Sequence, residues 1–130
     1  LAHMRGDGDV TGKVGSVGYC LGGKLAYFMA TRSDADANVG FYGVGIEGAL
    51  DEASNISNPL MLHIAEKDGF CPPEAQKAIH EALGGHPKVT LHDYAGCDHA
   101  FARVGGAHYD KAAADSTNQR SLDFFAQHLK

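Results

Sequence analysis

The segment that constrains this chain most is Gly18-Tyr19-Cys20-Leu21-Gly22-Gly23, which lies between a strand-like run and a helical pattern. Lys13 to Tyr19 alternates as a strand does, and Leu21 to Thr31 carries apolar residues at helical spacing. A nucleophile with a glycine two residues to either side, placed between a strand and a helix, is typical of the tight turn called a nucleophile elbow. We therefore predict that Cys20 is a nucleophile and that Gly18 and Gly22 both have to lack a Cβ.

The predicted turn also supplies an electrostatic environment. Free amides at a helix N-terminus favour negative charge, so we expect them to stabilise a Cys20 thiolate and an acyl oxyanion. The amide of Leu21, directly after the nucleophile, is the expected oxyanion donor. Two other interpretations are a small buried cysteine in a glycine-rich turn and a dinucleotide-binding loop. The glycine spacing does not match GxGxxG, which disfavours the loop.

Strand-like runs alternate with helical patterns along the 130 residues. The apolar run Pro59 to Ala65 is typical of a strand buried on both faces. Alternation of this kind indicates an α/β fold with a parallel sheet. We predict one layered unit of about four parallel strands with flanking helices, the strands being Lys13 to Tyr19, Ala37 to Tyr42, Pro59 to Ala65 and Lys88 to Tyr94, and the later helices Pro73 to Leu83 and about Tyr109 to Leu129.

Two polar residues follow later strands and complete a candidate catalytic set. Asp68 comes after Pro59 to Ala65, and His99 comes after the last strand. Parallel strands end at one edge of the sheet, so both should lie beside Cys20. His99 would take the thiol proton, and Asp68 would orient its ring. Each residue alone is also compatible with a turn or surface position, and Asp98 is a rival for the acid.

These motifs together resemble the dienelactone hydrolase family. The resemblance rests on Gly-Tyr-Cys-Leu-Gly-Gly at 18–23, Asp-x-Phe-x-Pro at 68–72 and His-x-Phe-x-Arg at 99–103. It implies an α/β-hydrolase fold and a cysteine hydrolase that acts on enol-lactones or activated esters without a cofactor. It also implies that Arg103 holds a substrate carboxylate, for which a guanidinium is well shaped. The alternative for Arg103 is an ordinary surface position.

The same resemblance implies a truncated α/β-hydrolase, since family members are nearly twice this length. We expect residues 12–130 to be the C-terminal half of the domain. Residues 1–11 would be a vector scar and a frayed terminus. The strand Lys13 to Tyr19 would then present an apolar edge, which predicts a homodimer or higher self-association. The alternative is a catalytically impaired remnant, or a fragment, that acts as an oligomeric or binding module.

The composition of the chain excludes some kinds of binding partner. The net charge of −5 argues against nucleic acid or an anionic membrane as a partner. The chain has no run of about 18 apolar residues and no signal peptide, and its three cysteines lack paired spacing, so we expect a reduced, cytoplasmic protein. A metal site at Cys97-Asp98-His99 is disfavoured because adjacent residues do not easily surround one ion. The expected partner is a small ester or lactone.

Overall fold

A four-stranded parallel sheet forms the centre of the fold, which confirms the predicted class. The computed structural model describes residues 13–129, so the predictions for residues 1–11 and for Lys130 lie outside the described residues. The spatial order of the strands follows the chain order, and every neighbouring pair is parallel. The strands are β1 (Gly15–Tyr19), β2 (Ala37–Phe41), β3 (Leu60–Ala65) and β4 (Val89–Tyr94).

Helices cover both faces of this sheet. α1 (Leu21–Arg32), a 3-10 helix (Ile46–Asn55) and α2 (Pro73–Leu83) pack on one face, and α3 (Lys111–His128) packs on the other. α2 begins at a proline, which fits the first turn of a helix because that position donates no intrahelical hydrogen bond. α3 is capped by Asp110, whose side chain accepts a hydrogen bond from an amide of the first turn. No helix within residues 13–129 is both long and apolar enough to cross a membrane.

Strand β3 divides the apolar core into two clusters. All six of its residues are buried, as its nearly continuous apolar sequence predicts. Leu60, Leu62 and Ile64 pack against α1 and α2, whereas Met61 and Ala65 pack toward α3. Each face therefore buries a continuous apolar surface, and the sheet is held rigidly between two layers.

A buried histidine ties α3 to the sheet. The His63 ring takes part in two hydrogen bonds, one of 2.8 Å between Nδ1 and the Tyr94 hydroxyl and one of 2.9 Å between Nε2 and Ser121 Oγ. Arg120 donates a further bond of 3.0 Å to the Tyr94 hydroxyl. Burial lowers the pKa of His63 to about 3, with smaller contributions from the charges of His92 and Arg120. The ring is therefore neutral under physiological conditions, and it joins β3, β4 and α3 without a buried charge.

One element was not predicted from the sequence. The 3-10 helix over Ile46–Asn55 buries only Ile46 and Ala49, and its backbone is kinked at Ala49. Two buried apolar residues in a segment of ten do not form a helical pattern that sequence analysis can detect. Packing against α1 and α2 holds this segment in place.

The steric need for glycine in the elbow falls on Gly18 rather than on both predicted positions. A Cβ on Gly18 would lie 1.9 Å from the carbonyl oxygen of Gly22, a distance that no van der Waals contact allows. A Cβ on Gly22 would meet nothing within 4 Å, so the prediction that Gly22 also has to lack a Cβ is wrong. Gly22 approaches β1 with its backbone, while its own Cβ position points into open space.

We expect Gly18→Ala to destabilise the fold and Gly22→Ala to leave it stable. Relieving the clash at Gly18 requires the strand and the helix to separate, which costs about 1–3 kcal/mol or more. Alanine at Gly22 lies inside α1, where it is favoured over glycine by roughly 0.5–1 kcal/mol. Urea unfolding of the two variants measures the difference. Equal loss of stability in both would contradict this account of the turn.

Candidate active site

The carboxyl ends of all four strands meet at one edge of the sheet and bring the candidate residues together. β1 is followed by Cys20, and β2 is followed by Tyr42. The loops after β3 and β4 carry Asp68 and His99. These two loops are joined by a hydrogen bond of 2.8 Å from the Lys67 amide to the Cys97 carbonyl. The topology therefore places the three predicted catalytic residues on the predicted edge.

Cys20 lies in the tight turn between β1 and α1. Its backbone has φ 59° and ψ −119°, a region that side-chain-bearing residues rarely adopt. Its amide donates to the Phe41 carbonyl at 3.1 Å, and its carbonyl accepts from the Gly23 amide at 3.0 Å. Hydrogen bonds from both sides therefore hold a strained backbone, and the thiol remains partly accessible.

Asp68 and His99 form a directly bonded pair. His99 Nδ1 lies 2.8 Å from Asp68 Oδ2, and the other carboxylate oxygen of Asp68 accepts from the Phe70 amide at 2.9 Å. The Asp68 side chain is 1% exposed and the His99 side chain 16%. Both carboxylate oxygens are thus occupied, and the ring is oriented with Nε2 free to act on a second group. Within residues 13–129, Nε2 makes no hydrogen bond to the Cys20 thiol, a contact that often forms only when a substrate is bound.

Asp98, the rival acid, contacts the backbone instead of the ring. Its Oδ1 accepts from the His99 amide at 2.6 Å, and its Oδ2 lies 3.7 Å from His108 Nδ1. Its carboxylate therefore shapes the loop that carries His99. No cluster with the composition of a metal site occurs among residues 13–129, Cys97-Asp98-His99 included.

A cleft of about 380 Å³ opens beside Cys20. It is lined by Tyr19, Cys20, Tyr42, Ala100, Ala102, Arg103 and Asn118. Arg103 is exposed, makes no ion pair within the described part of the chain, and contributes positive charge near the thiol. Its guanidinium is available to an anionic group that enters the cleft.

Leu21 begins α1 directly after Cys20. Its side chain is 63% exposed, so it does not contribute to the core. The amide of a first helical residue has no acceptor within its helix and points out of the N-terminus. This geometry suits the predicted donor role, since the amide faces the same end of α1 as Cys20.

The charge state of the Cys20 thiol depends on its burial and on two nearby charges. Burial raises the pKa of Cys20 above its usual value, the Asp68 carboxylate raises it further, and Arg103 opposes them. Burial and the nearby carboxylate therefore disfavour the thiolate, and the positive charge of Arg103 favours it. A neutral resting thiol needs a base in order to become nucleophilic.

We expect iodoacetamide to alkylate Cys20 faster than the other two cysteines, at a rate that rises with pH. Cys71 and Cys97 are 4% and 5% exposed, and burial raises the pKa of both thiols, that of Cys71 to about 11. Only the thiolate reacts, and the raised pKa of Cys20 keeps its thiolate fraction small at neutral pH. Peptide mass spectrometry between pH 6 and 9 measures the three rates. A Cys20 rate that does not change with pH would mean a resting thiolate.

Tyr42 and Asn118 line the cleft and were not identified from the sequence. The signal that could have found Tyr42 is its position directly after β2, at the sheet edge where Cys20, Asp68 and His99 also lie. Asn118 lies on α3, the last helix of the chain, and is far in sequence from Cys20 although both line the cleft. No local motif marks a residue of that kind.

Comparisons with known proteins agree with this geometry. The sequence model of the dienelactone hydrolase family matches residues 1–129. A protein of Azospirillum brasilense, provisionally named a carboxymethylenebutenolidase, is 55% identical over 84% of this chain and 47% of its own length. The carboxymethylenebutenolidase of Pseudomonas putida is 41% identical over 97% of this chain and 53% of its own length.

A solved structure has a similar fold over about half of its own length. A protein from Klebsiella pneumoniae subsp. pneumoniae MGH 78578, provisionally named a dienelactone hydrolase, superposes with a TM-score of 0.78 at 25% identity. The match covers 88% of this chain and 52% of that one. The chain thus spans about half the length of the relatives it matches. The family match over nearly all of the chain shows that the chain belongs to the dienelactone hydrolase family.

Proposed function

We propose that this chain carries the catalytic residues of a hydrolase that cleaves lactone or activated ester bonds through a thioester intermediate. The observation that carries the proposal is the 2.8 Å pair of Asp68 and His99 at the same sheet edge as the strained Cys20 turn. A nucleophile, an oriented base and a buried acid are the three parts that such a reaction needs. The names of the relatives support the same class of substrate.

The proposed reaction begins with proton transfer from the Cys20 thiol to His99 Nε2. The thiolate attacks the substrate carbonyl carbon, and the carbonyl electron pair moves to oxygen, which the Leu21 amide stabilises. The bond to the leaving oxygen then breaks, and that oxygen takes the proton from the imidazolium. A water molecule, deprotonated by His99, hydrolyses the thioester and regenerates the thiol. Asp68 stabilises the imidazolium in both halves of the reaction.

The substrate of this proposal carries a carboxylate. Arg103 lines the cleft beside Cys20, is exposed, and pairs with no acid among residues 13–129. A planar guanidinium can bind a carboxylate with two parallel hydrogen bonds, which would also orient the scissile carbonyl. The 380 Å³ of the cleft suits a small molecule.

The experiment that tests this proposal combines turnover with trapping of the intermediate. The protein is mixed with a dienelactone and, separately, with p-nitrophenyl acetate, and the second reaction is quenched in acid after a short time. We expect turnover above the buffer rate and an acetyl mass on the peptide that contains Cys20. No turnover above buffer for either ester, together with no acylated peptide, would refute the proposed activity for this chain.

We also propose that β1 pairs with β1 of a second copy of this chain. β1 bonds only to β2 among residues 13–129, so its other edge has no strand beside it in that part of the chain. Val17 and Tyr19 on this strand are 51% and 49% exposed, and Leu122, which is 64% exposed, lines one pocket with both of them. An open edge with apolar neighbours favours edge-to-edge pairing, and a two-fold axis would make that pairing antiparallel.

We expect Val17→Lys to separate this dimer. Lysine on an edge strand disfavours pairing because its charge has to be desolvated. Light scattering over a range of concentrations should show dimers of the unmodified chain and monomers of the variant. Val104→Lys is the matched control, because Val104 is 81% exposed but lies in the loop before α3. A stable monomer of the unmodified chain at every concentration would contradict the pairing.

A further inference from the structure

Backbone strain in this fold is concentrated at the catalytic cleft. Among the described residues, the non-glycine residues with positive φ are Cys20 at 59°, Tyr42 at 37° and Ala100 at 64°. All three line the cleft. Such conformations cost free energy and cluster at functional sites. The elbow explains Cys20, and Ala100 follows the base directly, but the proposed triad gives no reason for strain at Tyr42.

Contacts on several sides hold Tyr42 in this conformation. Its amide donates to the His63 carbonyl at 2.8 Å, directly after the last residue of β2. Its ring lies edge-on to His99, with centroids 5.2 Å apart, and edge-on to Phe101 at 5.3 Å. Only 4% of the residue is exposed. The side chain is therefore fixed between the base and the wall of the cleft.

The Tyr42 hydroxyl differs from those of the other buried tyrosines. Tyr27 donates to the Ala49 carbonyl at 2.8 Å, and the Tyr94 hydroxyl bonds to both His63 and Arg120. The Tyr42 hydroxyl has no hydrogen-bond partner within residues 13–129, and the residue lines the cleft with Cys20. Burial, followed by the charge of Cys20, raises its pKa to about 12. The hydroxyl is thus a neutral donor that is free to bond to a molecule in the cleft.

We propose that Tyr42 is a catalytic residue that donates a hydrogen bond from its hydroxyl to the acyl oxygen of the substrate. The inference rests on the proposed hydrolase function. When the Cys20 thiolate attacks, the carbonyl electron pair moves onto that oxygen, and the Leu21 amide and the Tyr42 hydroxyl would share the charge. The phenol keeps its proton throughout, and the bond weakens when the tetrahedral intermediate collapses to the thioester. A second donor from Tyr42 complements the one at the helix N-terminus.

The test is Tyr42→Phe, which removes the hydroxyl and keeps the ring against His99. The substrate is p-nitrophenyl acetate, since it has no carboxylate for Arg103. We expect kcat to fall about 10²-fold with KM nearly unchanged, as for other donors to an acyl oxyanion. The thermal midpoint should not change, because the hydroxyl has no partner in the fold. Tyr109→Phe is the matched control, since Tyr109 lies outside the cleft lining, and it should keep the unmodified kcat.

A second measurement separates this inference from the proposed turnover. A small aldehyde adds reversibly to the Cys20 thiol and forms a thiohemiacetal, whose oxygen occupies the acyl-oxygen position without any leaving group. Because Tyr42→Phe loses one hydrogen-bond donor, its Kd for this aldehyde should rise about tenfold. An unchanged kcat in an active protein, or an unchanged aldehyde Kd in an inactive one, would overturn the role of Tyr42. A rise in KM alone, seen only with a carboxylate-bearing lactone, would also overturn it. The hydroxyl would then bind the substrate carboxylate and not the acyl oxygen.

Discussion

Replacing Cys20 with alanine is expected to reduce the hydrolysis of p-nitrophenyl acetate by about 10³-fold or more, to the buffer rate. Cys20 is the only cysteine in the described residues that is not buried. Of the three cysteines, it is also the one that lines the cleft that contains Arg103. Removing the sulfur leaves His99 with no thiol proton to accept, so the acyl-enzyme cannot form. The measurement is kcat/KM for the variant and the unmodified chain at the same concentration.

Cys97→Ala is the matched control for this variant. Cys97 is 5% exposed, its sulfur lies 3.8 Å from Asp110 Oδ2, and the residue does not line the cleft. We expect its turnover to equal that of the unmodified chain. If instead Cys20→Ala retains full turnover, the nucleophile lies elsewhere and the elbow is only a structural turn. If Cys97→Ala alone loses turnover, the thioester forms in the loop that carries His99.

The sequence predicts the fold well where a residue pattern and its packing agree. Continuous apolar residues over Pro59 to Ala65 identified β3, whose every residue is buried. Pro73 and Gly84 bracket α2, because a proline suits the first turn and a helix tends to end near a glycine. The edge rule for parallel sheets then placed Asp68 and His99 together, although 31 residues separate them in the chain.

The remaining features depend on contacts that no local pattern encodes. The positive φ of Tyr42 is maintained by the His63 carbonyl and by ring contacts with residues far along the chain. The raised pKa of Cys20 reflects burial and the nearness of Asp68, neither of which can be read from the elbow motif. The error at Gly22 has the same origin, since the motif shows which residues are small but not which backbone atoms they approach.

Replacing Asp68 with asparagine is expected to lower kcat by about 10⁴-fold, the cost of fixing a catalytic histidine in the wrong tautomer. Both oxygens of Asp68 accept hydrogen bonds, one from the Phe70 amide at 2.9 Å and one from the His99 ring at 2.8 Å. Asparagine has only one oxygen, and the Phe70 amide would keep it. The amide nitrogen would then face Nδ1 of His99 and place the ring proton on Nε2. A ring protonated at Nε2 cannot accept the thiol proton, and the imidazolium also loses its neighbouring charge.

Asp98→Asn is the matched control for the acid, because Asp98 is the adjacent carboxylate on the same loop as the base. Its Oδ1 accepts from the His99 amide, a bond that an asparagine oxygen can replace, and its other oxygen is part of an exposed contact with His108. We expect a change of about 0.5 kcal/mol or less, roughly a factor of two in rate. The ratio of the kcat values of Asp68→Asn and Asp98→Asn therefore shows which carboxylate acts as the acid. A general loss of stability would not produce such a ratio. If Asp98→Asn were the slower enzyme, the carboxylate on the backbone would be the acid, and the buried contact of Asp68 with the ring would be only structural.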